Sequence, residues 1–462
     1  MRTIFTLTFL FILILSNAQT NSEISEKTIN EITEFIQNKK DFYNSPSIAV
    51  AITDETKTIY LKHFGDAKKG DKYLIGSNSK SFTALLILKL QEEGKLNIHD
   101  PVIKYLPWFK FKNKVISDQI TIEDLLRHTS GLSTELGRTF KTDPTFNYID
   151  FYTSKIKSID LEDISERRYN YSNANYRILA YIIEEVTNRT FKDCLNSYIT
   201  TPLGLVNTSA DIKTKLINSY QYFLYYPIIP FETNLHPDEA ASGLISSSID
   251  NMATYLRHIM NAYNNHPNTK LSNHLVKQLF TKNERSKSNY GLGWKINNDS
   301  TGLYHGGTNK SFESHMYILP SLKKAIVVLI NSNQAPDVEI INGIYGILSG
   351  KGYYDKSSFA YYRHFPILVL LLCICFISQF IKWQKRNFHI SLTKKILPNL
   401  LLLIGVVIGS CIFIYIPKLN GVSLKTATEF DPTSGYSIVL TSLLIITNSI
   451  LIYINANLIL KK

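Results

Sequence analysis

Three long apolar stretches crowd the last hundred residues of this 462-residue chain, at 366–381, 396–416 and 436–460. A bilayer crossing takes about 20 apolar residues, with roughly 17 as the lower limit. The second and third meet that length, and the first, near the lower limit, is also expected to span. The loop KWQKRNFHISLTKK between the first two carries Lys382, Lys385, Arg386, Lys394 and Lys395 and no acidic residue. The positive-inside rule places it on the cytoplasmic side. The second stretch then runs outward, the connection PKLNGVSLKTATEFDPTSGY faces the same side as the large N-terminal part, and the third returns to end at Lys461 and Lys462. Tyr353, Tyr354, Tyr361, Tyr362 and Phe365 ahead of the first stretch read as an interfacial aromatic belt.

The N-terminus, MRTIFTLTFLFILILSNAQT, has a basic Arg2, an apolar run over 4–15, and small residues at Ser16 and Ala18. That is the layout of a cleaved secretion signal over 1–19, and the run is short for a span. The expected organisation is thus a signal peptide, a folded domain at 22–350, a juxtamembrane linker at 351–365, and a membrane domain at 366–462 with three transmembrane helices. The folded domain is expected on the extracytoplasmic side of the cytoplasmic membrane, periplasmic or extracellular. The net charge of +12 sits largely at membrane flanks and comes with no nucleic-acid motif, so nucleic acid is excluded as a partner. The remaining excess suits an anionic envelope surface. Of four cysteines only Cys194 falls in the folded domain, which leaves no partner for an intradomain disulfide.

Within 22–350, residues 47–53 and 58–65 read as two strands around the polar turn DETK. A helix-spaced run, SFTALLILKLQEEGKL, follows, and Thr121, Asn173 and Ile249 each open a further helical segment. Strand character returns late, in GLGWKI, ESHMYILP and KKAIVVLINSN, before a last helix at 338–348. Strands at both ends with helices inserted between them predict an α/β (α+β) fold: one antiparallel sheet closed by both ends of the chain, flanked by helices, plus a helical subdomain. The cleft between the two is the natural place for a site.

Three motifs carry chemistry. In GSNSKSFTA, Ser77 and Lys80 stand one helical turn apart at the start of the apolar run. A serine hydroxyl is a weak nucleophile until a neighbouring base takes its proton, so the pair can drive acyl transfer. Taken alone it reads as a polar helix start. Tyr171-Ser172-Asn173 precedes another helix: a phenol near an ammonium can relay protons, and the amide can orient a lysine or cap the helix. In His305-Gly306-Gly307, at a strand edge, glycine admits close backbone approach, and the imidazole can bind a carboxylate or help polarise a carbonyl.

In this order and spacing the motifs resemble the serine β-lactamase and D-alanyl-D-alanine carboxypeptidase superfamily, closest to its class C and β-lactamase-related esterase branch. The resemblance extends through LLRHTSGLS at 125–133, YSNANYRILAYIIEEVTNRTF, TPLGL at 201–205, ASGLISSSIDNMATYL, YGLGWKI and HGGTNKSFESHMYILP. It covers most of 43–333 and none of the membrane segment. It implies a β-lactamase/transpeptidase-like fold, with Ser77 as acylated nucleophile, Lys80 as the amine that deprotonates it, and Tyr171 as proton relay. Asn173 would contact Lys80 and the substrate. His305 and Gly307 would line the substrate, and the N–H groups of Ser77 and Thr308 would form the oxyanion hole. His128 falls in a segment that is mainly structural in the family. No metal or other cofactor is implied. Two departures bear on substrate: Ser311 precedes Phe312 where relatives often have Gly-Phe, and His305 replaces the lysine of β-lactamases, which disfavours β-lactam turnover. The expected function is a membrane-tethered serine hydrolase acting on an ester or amide, with peptide, ester or small-molecule substrates of the cell envelope. The alternative is an envelope ligand sensor with little turnover.

Overall fold

A computed structural model describes residues 24–353, 393–419 and 423–460, apart from single residues or short loops at 142, 144, 162–167, 224–225, 232–234, 268, 284–285, 287, 299–301 and 334. The expected signal peptide, the first expected span and nearly all of the expected linker lie outside the described residues.

The centre is a six-stranded antiparallel sheet. Its strands are β1 (Ser47–Asp54), β2 (Thr58–Gly65), β3 (Lys295–Ile296), β4 (Leu303–Thr308), β5 (Glu313–Leu319) and β6 (Lys324–Ile330), in the spatial order β2-β1-β6-β5-β4-β3. The early and late strands of the chain meet where β1 pairs with β6, with Ile48 opposite Ile330 and Ile52 opposite Ile326. Every residue of β1 is buried. Its alternation is therefore one of size rather than polarity, because both faces of the sheet are covered.

On one face Ile48, Val50, Ile52, Ile326 and Val328 pack against Ile32, Phe35 and Ile36 of α1 (Glu26–Tyr43) and against a late helix, Asp337–Leu348, through Ile340 and Ile344. The opposite face presents Ala49, Ala51, Val327 and Leu329 to the main core. That core is built on α2 (Ser79–Glu92), α3 (Asn173–Thr187) and α4 (Ile249–Tyr263). Small residues on β1 let α4 lie close to the sheet. The late helix is α5 (Asp337–Leu348), and Gly343 on it passes directly over the Phe35 ring.

GLGWKI is not the strand its composition suggests. Only Lys295 and Ile296 pair, because Gly293 turns the chain at φ +75° and presses so close to Lys80 that a Cβ would lie 2.6 Å from the Lys80 carbonyl oxygen. A short hairpin, Tyr220–Phe223 with Tyr226–Pro230, was not signalled by sequence; its Tyr222 hydroxyl donates to the Tyr43 carbonyl at 2.6 Å.

After α5 the described chain resumes in three helices, α6 (Thr393–Leu419), α7 (Leu424–Phe430) and α8 (Pro432–Leu460). α6 and α8 coincide with the second and third expected spans and pack on each other. Gly405 and Gly409, four apart on α6, admit Ser449 and Ile446 of α8 so closely that a Cβ at either would collide. Among the described residues no helix is long and apolar enough to cross a membrane.

Replacing Gly343 with alanine places a Cβ 2.1 Å from Phe35 Cζ, an overpacking expected to cost roughly 1–3 kcal/mol. The expected result is a melting temperature several degrees below wild type, read by circular dichroism.

Candidate active site

Ser77 does not sit on α2 itself. It occupies a single 3₁₀ turn, Gly76–Asn78, immediately ahead of the helix. Gly76 makes the turn at φ +52°, a conformation that favours glycine. It also faces β4 at a distance no side chain would permit: a Cβ there would lie 2.6 Å from the Thr308 nitrogen, and one on Gly307 would lie 2.0 Å from the Ile75 carbonyl oxygen. Backbone thus packs on backbone, and the Thr308 nitrogen is brought beside the Gly76–Ser77 segment. Ser314 of β5 pins the turn by donating to the Ile75 carbonyl at 2.8 Å and accepting from Asn78 Nδ2 at 2.9 Å. This is the backbone placement that an oxyanion hole made of the Ser77 and Thr308 N–H groups requires.

Lys80, one turn on, is completely buried, whereas Ser77 is partly exposed to the cleft. The Lys80 Nζ lies 3.1 Å from Ser77 Oγ, 2.7 Å from Asn173 Oδ1 and 2.5 Å from the Ser242 carbonyl oxygen. As an ammonium it donates to all three. As a neutral amine it keeps N–H bonds to Asn173 and Ser242 and turns its lone pair to the serine hydroxyl. Burial, reinforced by the positive charges of Arg177 and Lys295, holds Lys80 well below the ordinary lysine range, which favours that second state.

The Tyr171 ring is centred 4.9 Å from Lys80 Nζ. Burial raises its phenol well above the ordinary range, and a hydrogen bond with Ser77 opposes the rise. Tyr171 is therefore a neutral donor at rest, able to pass a proton rather than hold a charge. Ser172 N–H and Asn175 Nδ2 both donate to His128 Nδ1, at 3.1 and 3.0 Å, so this buried imidazole supports the Tyr171 loop from beneath. His128 adopts φ +59°.

His305 on β4 is buried, with both ring nitrogens occupied: Nδ1 donates to the Gly306 carbonyl at 2.7 Å and Nε2 accepts from the Tyr290 hydroxyl at 3.0 Å. Burial, then the charges of Lys295 and Lys80, keep it well below the ordinary histidine range. It faces the cleft as a neutral, fixed ring.

Ser77, Tyr171, Asn173, His305 and Thr308 line one cleft of about 600 Å³. The sequence motifs therefore converge. Three participants carried no local signal. Ser242 acts through its main-chain carbonyl, which no side-chain pattern reveals. Tyr290 and Lys295 lie within YGLGWKI, a segment of the family resemblance to which no site role was attached; Lys295 lines the cleft opposite Tyr304 in the sheet register. Arg138, Phe140 and Glu239 also line it. Among the described residues no group of three or more His, Cys, Asp or Glu side chains is placed to hold a metal ion.

The profile of the family described as Beta-lactamase matches residues 32–346. The chain belongs to the β-lactamase family. This β-lactamase-family chain is 28% identical over 371 residues to the protein flp of Staphylococcus aureus (strain NCTC 8325 / PS 47), a match covering 76% of this chain and 74% of the relative. It is 34% identical over 186 residues to the teichoic acid D-alanine hydrolase of Staphylococcus aureus, covering 38% of this chain and 44% of that protein. Among solved structures, the octameric penicillin-binding protein homologue from Pyrococcus abyssi superposes with a TM-score of 0.60 at 24% identity, over 72% of this chain and 80% of that one. The β-lactamase/transpeptidase-like fold expected from sequence is the fold observed.

Removing the Lys295 charge relieves part of the repulsion that depresses Lys80. Lys295→Met is therefore expected to move the acid limb of the pH–rate profile to higher pH, since Lys80 then loses its proton later on a rising pH scale. An unshifted limb would assign the profile to another group.

Proposed function

We propose that this protein is a serine hydrolase that forms an acyl-enzyme on Ser77 and acts on an ester or amide of the cell envelope. The observation that carries the reading is the Lys80 amine, buried with no carboxylate partner among the described residues and 3.1 Å from the Ser77 hydroxyl. In the first step the Ser77 oxygen attacks the substrate carbonyl carbon while its proton passes to Lys80, and the developing oxyanion is received by the Ser77 and Thr308 N–H groups. Lys80 and Tyr171 return a proton to the leaving group as the bond to it breaks. Water then attacks the acyl-enzyme by the same route in reverse. The neutral His305 supplies no cation for a β-lactam carboxylate, which favours ester or amide hydrolysis over β-lactam turnover. The name of the relative teichoic acid D-alanine hydrolase makes a D-alanyl ester the first substrate to try within that class.

We further propose that the domain is exported and held to the cytoplasmic membrane by the C-terminal helices. Leu403, Val407, Ile408 and Phe413 on α6, and Leu440, Leu443 and Ile450 on α8, are exposed. Exposed apolar side chains grouped in this way support contact with another apolar phase. The run of basic residues within 382–395 and the close Gly405/Gly409 contact with α8 support that reading.

The test is a fluorophosphonate probe applied to the detergent-solubilised protein, with the adduct located by mass spectrometry. The expected adduct is on Ser77, absent from Ser77→Ala. Lys80→Met is expected to lower kcat on p-nitrophenyl acetate roughly 10²- to 10⁴-fold, the usual worth of a positioned general base. Ester turnover that persists in Ser77→Ala would overturn the assignment.

A further inference from the structure

The connection between α6 and α8 lies outside the residues matched by the family, 32–346, yet Thr426, Phe430, Asp431, Ser434 and Ile438 line the same cleft as Ser77. The docking is specific. The last carbonyls of a helix lack partners within the helix, and at the end of α7 they are capped from the catalytic domain. Gln221 Nε2 donates to the Glu429 carbonyl at 2.7 Å, and Asn333 Nδ2 to the Phe430 carbonyl at 2.6 Å. Asn333 is itself oriented by accepting the Tyr222 N–H at 2.8 Å. Lys310, on the loop after β4, pairs with the Glu429 carboxylate at 2.9 Å. On the cleft side the Phe430 ring lies 5.6 Å from that of Phe140, which rests on the buried Arg177 guanidinium at 5.2 Å. Asp431 Oδ1 accepts the Ser434 N–H at 3.0 Å at the start of α8.

We infer that residues 424–438 form a wall of the substrate cleft, in which Phe430 beside Phe140 is a specificity-determining residue that seats an apolar portion of the substrate next to the reacting bond. This rests on the hydrolase reading. The site is then built from two parts of the chain, and the domain at 22–350 alone presents an open cleft with a different preference. On the further reading that α8 enters the membrane, its start in this wall and its exposed Leu440 and Leu443 within about 20 Å of it at 1.5 Å per residue make the fitting substrate class an amphiphile carried by that membrane.

The experiment uses the full chain in detergent. Carbodiimide coupling of wild-type protein is expected to join Lys310 to Glu429 in an isopeptide found by mass spectrometry. Phe430→Ala is expected to raise KM for p-nitrophenyl butyrate roughly five- to tenfold with a smaller change for the acetate, as for lost contact with one or two methylenes. Glu429→Lys is expected to raise the butyrate KM likewise, and the added exchange Lys310→Glu to restore it. A merely structural role would not discriminate between the two esters. An absent Lys310–Glu429 crosslink, or a butyrate-to-acetate ratio unmoved by Phe430→Ala, would overturn the wall. Fluorophosphonate labelling of Ser77 in the same samples separates that outcome from failure of the hydrolase reading, in which wild type itself does not label.

Discussion

The buried Lys80 amine, with no carboxylate partner among the described residues, is the point on which the site converges. Desolvating an ammonium is costly unless its protons are satisfied, and Lys80 finds acceptors on three separate segments: the Ser77 turn, the start of α3 at Asn173 and the Ser242 carbonyl. The helical subdomain is thereby tied to the sheet side at the point where chemistry is proposed to occur. The same burial that makes these contacts necessary depresses the amine's proton affinity. Stability and reactivity share one cause.

The sheet makes this convergence possible by geometry. Pairing β1 with β6 brings the two ends of the folded domain together, and β4 and β5 are then carried to the Ser77 turn. Gly76 and Gly307 remove the side chains that would hold turn and strand apart, while Ser314 fixes their register. Around that contact the remaining polar groups are arranged as supports. His128 accepts two donors beneath the Tyr171 loop, and Tyr290 holds His305 in one tautomer by donating to its Nε2.

Much of this was legible before any coordinates. Alternation and turn chemistry located β1 and β2 because short-range periodicity reflects a surface that is in fact half of a sheet. Ser77, Lys80, Tyr171 and Asn173 stood out because acyl transfer needs an alcohol, a base and a relay in recognisable local settings. GLGWKI failed as a strand because Gly293 turns the chain at φ +75° where it packs against the backbone of Lys80, more than two hundred residues away in the chain. Ser242 was invisible because a main-chain carbonyl is common to every residue type. The role of the α7 end was invisible too, since EFDPTSG reads as an ordinary connection between two apolar helices.

By itself the sequence determined most of the elements, the family and the residue types available for chemistry, because these depend on interactions between neighbours in the chain and on side-chain identity. Tertiary structure alone decided that Lys80 is stripped of water, that His305 is closed off as a neutral ring, and that the α6–α8 connection stands against the cleft. Each of these depends on desolvation or on contact between segments far apart in the chain, and neither quantity is encoded at any single position.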